Sequence, residues 1–139
     1  GRKVVMDGGA GLKLLAQRVS QTIERGGHDA DLAVHANALA QALAAVGAAT
    51  KAAWKSGDAQ VALANAVPYM EAFGHVVVAW IWLDVALAAK VAGTAPTRRS
   101  GVHAATRYFF AHELPKVPAW LAPVVQGDTS AIDIGDDDF

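Results

Sequence analysis

The sequence predicts an all-α fold, an up-down-up-down bundle of four helices. Apolar residues recur at spacings of three and four over most of the 139 residues, which is the period of amphipathic helices. The chain is 53% hydrophobic, and much of this is alanine, the strongest helix former. The period-two alternation of β-branched residues that marks half-buried strands is missing. Short connections between four helical stretches favour an antiparallel bundle.

The first helix is predicted over residues 10–24 or 10–25. Its apolar stripe consists of Leu12, Leu15, Ala16, Val19 and Ile23. We expect residues 1–9 to form a lead-in that is broken at Gly8-Gly9. The second pair, Gly26-Gly27, is expected to supply a left-handed stop for the helix.

The second helix is predicted over residues 32–54. Asp29 or Asp31 is expected to cap it, because a short carboxylate accepts hydrogen bonds from the unpaired N–H groups of a first turn. The positions that follow helical spacing are Leu32, His35, Leu39, Leu43, Val46, Thr50 and Trp54. Ser56-Gly57-Asp58 is expected to end this helix and to cap the next one.

The third helix is the central one, predicted over residues 59–92. It contains the most apolar stretch of the chain, Asn65–Ala89. One face carries Tyr69, Phe73, Val76, Trp80, Leu83 and Leu87. Most of the remaining circumference is also apolar, so we expect the helix to be buried on all sides. Pro68 lies inside this long helix and predicts a kink or a break.

The same segment is near the lower length limit for a membrane span. It contains His75 and Asp84, and an aspartate near the centre of a span costs about +2.5 to +3.5 kcal/mol on insertion scales. We therefore interpret it as a protein core helix and expect no membrane partner. Asp84 is expected to be buried and paired with a basic residue such as Arg107. His75 is interpreted as a satisfied interior or interfacial histidine.

A loop is predicted over residues 93–100 and the last helix over residues 101–122. The apolar stripe of this helix is Phe110, Leu114, Val117, Leu121 and Val124. Pro115 and Pro118 weaken its centre, and Pro123 should end it. The tail that follows carries five of the thirteen acidic residues, and we expect it to be mobile.

Composition and motifs exclude several classes of function. The net charge of −1, without clusters of Lys and Arg, argues against nucleic acid as a partner. The absence of cysteine excludes disulfides and thiolate sites and fits a cytoplasmic protein. None of the three glutamates begins a Glu-x-x-His motif, which a di-metal bundle requires, and no serine lies in a Gly-x-Ser-x-Gly turn. The residues therefore indicate no catalytic and no metal-binding site.

The aromatic residues permit two interpretations. Those at helical spacing are Tyr69, Phe73, Trp80, Trp82, Tyr108, Phe109 and Phe110. Such residues are more often core than the lining of a cofactor pocket. Trp82 faces away from the main stripe, so we expect it to contact another helix or another domain.

Three segments carry a family resemblance, in order along the chain. They are GRKVVMDGGA (1–10), ANAVPYMEAFGHVVVAWIWLDVALAA (64–89) and TRYFFAHELPKV (106–117). They resemble a subgroup of acyl-CoA dehydrogenases with an extra C-terminal helical domain, which includes enzymes similar to 3-methylmercaptopropionyl-CoA dehydrogenase. On this resemblance, residues 1–9 are the junction from an upstream dehydrogenase body, residues 10–125 the bundle domain and residues 126–139 the tail. The opening GRKVVMDGG also reads as the interior of a longer polypeptide.

The resemblance implies a reaction for the parent enzyme, the α,β-dehydrogenation of an acyl-CoA thioester. A glutamate removes the α-proton, and the β-hydrogen leaves as hydride to FAD. In the family that glutamate and most flavin contacts lie upstream of the matched segments, so no catalytic or cofactor-binding residue and no FAD are expected in this chain alone. The implied partners are the upstream dehydrogenase body, the acyl-CoA substrate and an electron-transfer partner, in a parent that forms homo-oligomers.

Six residues are candidates for contacts with the body or with CoA, namely Arg2, Lys3, His75, Trp82, Arg98 and Arg99. Arg98 and Arg99 suit CoA phosphates, although a solvated loop is the simpler interpretation. Two other functions stay open. The chain could be a free-standing helical interaction module, or a small-molecule-binding bundle, which requires an apolar cavity among the aromatic side chains.

Overall fold

A computed structural model describes residues 2–55, 65–91 and 93–126; the side chains of residues 2–10, 12, 54 and 55 lie outside this description. The described elements, in chain order, are α1 (Arg2–Gly27), α2 (Ala33–Lys55), α3 (Ala66–Ala89), α4 (Pro96–Tyr108), a π turn (Phe109–Glu113), a 3₁₀ turn (Leu114–Lys116) and α5 (Val117–Gln126). These ranges contain helices and no strand, which confirms the all-α prediction.

Contacts between the helices give their relative directions. Thr22 and Arg25 of α1 meet Trp80 and Asp84 of α3 in the same order, so these two helices are parallel. The start of α2 lies near the end of α3 and its later residues near the start, so α2 is antiparallel to α3. The continuous helical segment from α4 to α5 also runs against α3. The chain thus has the predicted up-down-up-down order.

The centre of the bundle is α3, which contacts α1, α2, α4 and α5. Its buried side chains are Ala72, Val76, Ala79, Leu83, Ala86 and Ala89. Four of these six are alanines, which let the neighbouring helices approach closely. The larger residues of the predicted stripe, Tyr69, Phe73, Trp80 and Leu87, are half-buried beside this line. The prediction that α3 is buried on all sides is wrong, because its opposite face is open to solvent.

Two predictions about the glycine pairs of α1 are wrong. Residues 2–9 are helical, so Gly8-Gly9 does not break the chain. The helix tolerates each glycine at a cost of about 1 kcal/mol relative to alanine. At the other end, Gly26 does not adopt a left-handed conformation; among the described residues Gly93 is the glycine with a positive φ, 95°. A Cβ on Gly26 would lie 3.1 Å from the Cβ of Ala36, so glycine permits a close approach of α1 and α2.

The prediction that Asp29 or Asp31 caps α2 is not confirmed, because the side chain of Asp29 caps the turn before the helix, which begins at Ala33. Oδ1 of Asp29 accepts hydrogen bonds from the N–H of Asp31 at 2.9 Å and of Leu32 at 3.3 Å. These bonds stabilise the turn between α1 and α2. The predicted stop at Ser56-Gly57-Asp58 lies outside the described residues, and so do residues 59–64 of the predicted third helix. Within the described part, α3 begins at Ala66, so Pro68 lies in its first turn, where a proline is tolerated.

The loop predicted over residues 93–100 is shorter than expected. Ala95 is extended, with φ −60° and ψ 137°, and Pro96 occupies the first turn of α4. Proline fixes its own φ at a helical value and pushes the preceding residue into an extended conformation, so it starts a helix here. Arg98 and Arg99 therefore lie in the first turn of a helix rather than in a loop.

The long kinked helix of the bundle is the last one, Pro96–Gln126. Proline removes a backbone donor and crowds the carbonyl of the residue four before it. Ahead of Pro115 the helix widens into the π turn, and at Pro115 it tightens into the 3₁₀ turn. The prediction that Pro123 ends the helix is wrong, since α5 continues to Gln126. The predicted stripe from Phe110 to Val124 is confirmed, because all five of its residues are buried.

By length and composition, α3 could cross a membrane; its most apolar window has a mean hydropathy of 1.8. The core helix of a bundle meets the same criterion, so one such helix is weak evidence for a span. Its packing against the other described helices agrees with the interpretation as a core helix.

Candidate functional site

The most prominent surface feature is a row of exposed apolar side chains on α3. This α3 row consists of Val67, Met70, Val78 and Ile81, with exposed fractions of 73%, 59%, 39% and 50%. At 100° per residue the four side chains fall within one face, opposite the buried alanines. The largest apolar patch of a monomeric protein is often functional, which makes the α3 row a candidate contact surface.

Gly74 lies at the middle of the α3 row and opens a depression in it. The depression has a volume of about 430 Å³, and its border includes the apolar Val67, Met70 and Val78 together with His75 and the exposed Glu71. A Cβ on Gly74 would meet no atom within 4 Å, so no side chain of the described residues requires glycine here. Glycine inside a helix costs about 1 kcal/mol relative to alanine. Glycine would be useful at this position if a polypeptide segment from outside the described bundle packs closely against α3.

His75 borders this depression and joins α3 to the last helix. Its ring lies edge-on to that of Trp120 at 4.6 Å and tilted to that of Phe109 at 5.7 Å. Its Nε2 is 3.8 Å from Oε2 of Glu113, which Nζ of Lys116 contacts at 2.5 Å. The ion pair with Lys116 is the main cause that lowers the pKa of Glu113. His75 is thus a half-buried interfacial histidine, as predicted.

The π turn presents two of these partners, Phe109 and Glu113. Single π turns inside α-helices often occur at functional sites. Here the turn also has a structural cause, the proline that follows it. Trp82 lies on the same flank of α3 as His75, is half-buried and packs against the core. It contacts other parts of the bundle, which is one of the two outcomes predicted for it.

A second candidate surface is basic and lies on α4. Arg99, His103 and Arg107 follow each other one turn apart, with His35 of α2 close to the last two. Burial is the first cause that lowers the pKa of His35, and electrostatic interactions with His103 and Arg107 are the next. A cleft of about 520 Å³ lies beside Arg99 and His103. Within the described ranges, Arg98, Arg99 and Arg107 make no ion pair, and Arg99 donates a hydrogen bond to the carbonyl of Thr94.

Asp84 differs from its prediction in burial and in partner. Its side chain is 51% exposed and accepts a hydrogen bond of 2.6 Å from Arg25, not from Arg107. The pair connects the ends of α1 and α3. Because both groups are open to water, the ion pair contributes little to stability. The prediction that Asp84 pairs with a basic residue is therefore confirmed, but the partner is Arg25.

At the end of α3, Lys90 holds the α1–α2 turn. Its Nζ lies 2.8 Å from Oδ1 of Asp29 and 2.8 Å from Oδ2 of Asp31. The hydrogen bond from Lys90 is the main cause that lowers the pKa of Asp29 below 3.8. In return, the hydrogen bonds to the two carboxylates raise the pKa of Lys90 above 10.5.

These shifts predict how the Lys90→Met variant responds to pH. The depressed pKa of Asp29 stabilises the fold above pH 3.8, and this contribution is lost as the pH falls through the lower folded-state pKa. The raised pKa of Lys90 stabilises the fold below pH 10.5, and this contribution is lost as the pH rises through the folded-state pKa. The difference in unfolding free energy between wild type and variant should be constant from about pH 5 to 9 and shrink outside that range.

Urea titrations at a series of pH values measure this difference. The matched control is Lys13→Met, since Lys13 is exposed and makes no ion pair within the described residues. A Lys90→Met difference that is independent of pH down to about pH 2 would contradict the assigned role of Asp29.

The aromatic side chains of α3 are tied into the bundle. Trp80 donates its Nε1–H to Oγ1 of Thr22 at 2.8 Å, and the hydroxyl of Tyr69 lies 2.8 Å from Oγ1 of Thr50. The core interpretation therefore holds for these residues. A half-open pocket of about 450 Å³ nevertheless lies beside Tyr69 and Phe73, between α1, α2 and α3.

With the fold and its surfaces defined, a comparison with protein-family models is informative. Residues 15–135 match the protein-family model that is described as acetyl-CoA dehydrogenase C-terminal like. The chain belongs to this family. The same comparisons found no curated protein and no solved structure similar to the chain. The family of acetyl-CoA dehydrogenase C-terminal-like domains agrees with the resemblance inferred from the three sequence segments and does not distinguish the subgroup.

Family membership makes this an accessory domain of the acyl-CoA dehydrogenase family, so its surfaces matter more than its reactive groups. Within the described ranges, no group of three or more His, Asp or Glu side chains could hold a metal ion. The aromatic residues that a flavin could stack on are used in contacts between helices, as with His75 and Trp120. No step of flavin chemistry is assigned to the described residues.

The six predicted contact residues do not form one site. His75 and Trp82 lie on one flank of α3, whereas Arg98 and Arg99 lie at the start of α4. Arg2 and Lys3 lie in the first turn of α1, and their side chains are outside the described residues. The α3 row was missed, because a helix that is apolar all round does not reveal which face is covered.

Proposed function

We propose that this chain is the C-terminal accessory domain of an FAD-dependent acyl-CoA dehydrogenase and that it packs on the dehydrogenase body through the α3 row. The parent enzyme carries out the α,β-dehydrogenation of an acyl-CoA thioester, and FAD in the body accepts the hydride. The subgroup proposed is the one that resembles 3-methylmercaptopropionyl-CoA dehydrogenase. The acyl-CoA substrate, the electron-transfer partner, the homo-oligomeric state and the cytoplasmic location belong to the same proposal.

The observation that carries the proposal is the exposed α3 row with Gly74 at its centre. Four large apolar side chains face solvent on the most apolar helix of the chain. Burying apolar surface yields about 25 cal/mol per Å², so covering this row is favourable. The depression at Gly74 would receive a protruding side chain of the body.

The size of the α3 row favours a body on the same polypeptide over a second copy of the chain. The patch is on the order of 400 Å², about half of the roughly 800 Å² that each partner buries in a stable interface. A partner that is covalently joined needs less, because the tether gives it an effective concentration in the millimolar range. A small apolar contact is therefore sufficient between domains of one chain.

The test compares binding of the 139-residue chain to a dehydrogenase body that lacks it. For the Ile81→Asp variant we expect the affinity, measured by isothermal titration calorimetry, to fall at least about tenfold, because docking would bury an unpaired carboxylate. Unchanged affinity of Ile81→Asp would refute docking through the α3 row.

Two further variants act as controls. Val34→Asp changes a side chain of α2 that is 68% exposed and lies off the row, so it should bind like wild type. Gly74→Ala should stabilise the isolated chain by about 0.5–1 kcal/mol, as expected for an exposed helix position, and weaken docking by filling the depression. A Gly74→Ala variant that is more stable and also docks normally would show that the depression receives nothing.

The competing function is a free-standing helical interaction module that uses the same α3 row for a different protein. The reading frame upstream of Gly1 separates the two. An upstream flavin-binding dehydrogenase body of roughly 400 residues or more supports the accessory domain. A start codon at or just before Gly1 supports the free-standing module.

The proposal that Arg98 and Arg99 meet CoA phosphates rests on their position. Both are exposed in the first turn of α4, where the helix dipole also favours negative charge. Neither guanidinium is neutralised by an ion pair within the described residues. A contact with CoA requires that this end of the bundle faces the substrate site of the body.

A further inference from the structure

The pocket between α1, α2 and α3 has the size and lining of a small-molecule site. Its volume is about 450 Å³, within the roughly 300–1,000 Å³ that is usual for ligand pockets. Its walls are apolar and include Leu15, Leu43, Val46, Phe73 and Val77. It lies on the flank of α3 that faces α1 and α2, away from the α3 row.

The two hydroxyl groups in the pocket have no proton to offer a ligand. The hydroxyl of Thr50 donates its proton to the carbonyl of Val46 at 2.8 Å. In the 2.8 Å bond between Thr50 and Tyr69 the donor must therefore be Tyr69, since Thr50 has a single hydroxyl proton. With both protons used inside the bundle, the pocket favours an aliphatic chain over a sugar or a nucleotide, which needs several polar partners.

Two lysines supply the polar end of the pocket. Lys13 of α1 and Lys51 of α2 both line it, and both are exposed. Neither lies within ion-pair distance of a carboxylate among the described residues. Long lysine side chains keep their methylenes on apolar surface and their ammonium groups in water. An apolar pocket with two ammonium groups at its edge suits an anion with a hydrocarbon tail.

We propose that this pocket binds a fatty acid or a similar amphipathic carboxylate. The aliphatic tail lies among Leu15, Leu43 and Phe73, and the carboxylate lies between Lys13 and Lys51. This role is independent of docking through the α3 row, because the pocket lies on a different flank of α3. It also meets the condition for a small-molecule-binding bundle, an apolar cavity beside the aromatic residues.

The test uses dansyl-labelled undecanoic acid with the 139-residue chain. We expect a saturable rise in dansyl fluorescence, which dodecanoate and dodecan-1-ol both reverse. In the Lys13→Gln/Lys51→Gln variant, displacement by dodecanoate should weaken at least about threefold, which is the sum expected from two exposed charge contacts. Displacement by dodecan-1-ol should not change. The matched control is Arg18→Gln, an exposed cation of α1 that does not line the pocket.

A second variant fills the pocket without removing any of its contacts. Gly47 lines the pocket, and a Cβ there would meet no atom within 4 Å, so this position accepts a side chain, and Gly47→Leu should extend one into the pocket. It should abolish probe binding while the helix content measured by circular dichroism stays the same. Gly101→Leu, at an equally open position of α4, should bind the probe normally.

Three results would overturn the proposal. One is the lack of saturable binding by the wild-type chain, as expected if another part of the chain or a second copy occupies the pocket. Another is normal binding by Gly47→Leu. The third is an equal effect of the two lysine substitutions on dodecanoate and on dodecan-1-ol.

Discussion

Replacing Leu83 with alanine is expected to lower the free energy of unfolding by about 3–5 kcal/mol. Leu83 is completely buried at the point where α1, α2 and α3 meet. Both of its δ-methyl groups lie 3.3 Å from the position that a Cβ of Gly26 would take, and Ala36 closes the same space. The neighbours are a glycine and an alanine on helix backbones, so they cannot expand into the cavity. The cost should therefore lie in the upper part of the range for such substitutions.

The matched control is Ile81→Ala, two residues earlier on the same helix. Ile81 is on the α3 row and half-exposed, so its truncation removes little buried surface. We expect a loss below about 1 kcal/mol in chemical denaturation of the 139-residue chain. Similar losses for Leu83→Ala and Ile81→Ala would mean that the inward and outward faces of α3 are assigned wrongly.

The Thr22→Val variant is expected to lose about 1–3 kcal/mol of stability, although it keeps the size and shape of the side chain. Thr22 is 2% exposed, and its Oγ1 accepts the Nε1–H of Trp80 at 2.8 Å. Valine offers no acceptor, so the indole N–H is left unpaired in a partly buried site. A buried donor without a partner costs more than the bond itself contributes.

Thr22→Ser separates the hydrogen bond from the packing. Serine keeps the hydroxyl and loses one methyl group, so it should cost less than Thr22→Val. Urea denaturation followed by circular dichroism measures both variants. The bond between Thr22 and Trp80 would be unimportant if valine were tolerated better than serine.

The buried faces of the amphipathic helices could be predicted from the sequence, because their apolar residues lie on one side of the helix. In the last helix, the five residues from Phe110 to Val124 recur at spacings of four, three, four and three, and all five are buried. Leu39 and Val46 of α2, and Leu32 just before it, are buried for the same reason. In both helices the period of 3.6 residues determines which side faces the core.

The orientation of α3 could not be predicted in this way. Its apolar residues surround the helix, so hydrophobicity alone does not favour one face. The structure buries the alanine line, because close contact of several helices requires small side chains, and leaves Met70 and Ile81 outside. The partner of Asp84 was equally inaccessible, since Arg25 is 59 residues away in sequence and reaches it only through the parallel packing of α1 and α3.

One error could have been avoided with a signal that is present in the sequence. Pro96 follows Ala95 at a point where the helical pattern resumes, which is typical of the first position of a helix. Reading it as a helix start would have placed Arg98 and Arg99 on α4. The α3 row, by contrast, became visible only when the covered faces were known.

The π turn before Pro115 has a consequence for insertions and deletions in this segment. A π turn contains more residues per turn than an α-helix, and the 3₁₀ turn that follows contains fewer. The two deviations offset each other, so the buried face of α5 stays aligned with that of the preceding helix. Deleting a single residue between Phe109 and Glu113 would remove this offset and rotate α5 by about 100°. Leu121 and Val124 would then turn away from the core, although every residue of α5 itself remained unchanged. The segment is thus tolerant of substitutions on its outer side and intolerant of any change in its length.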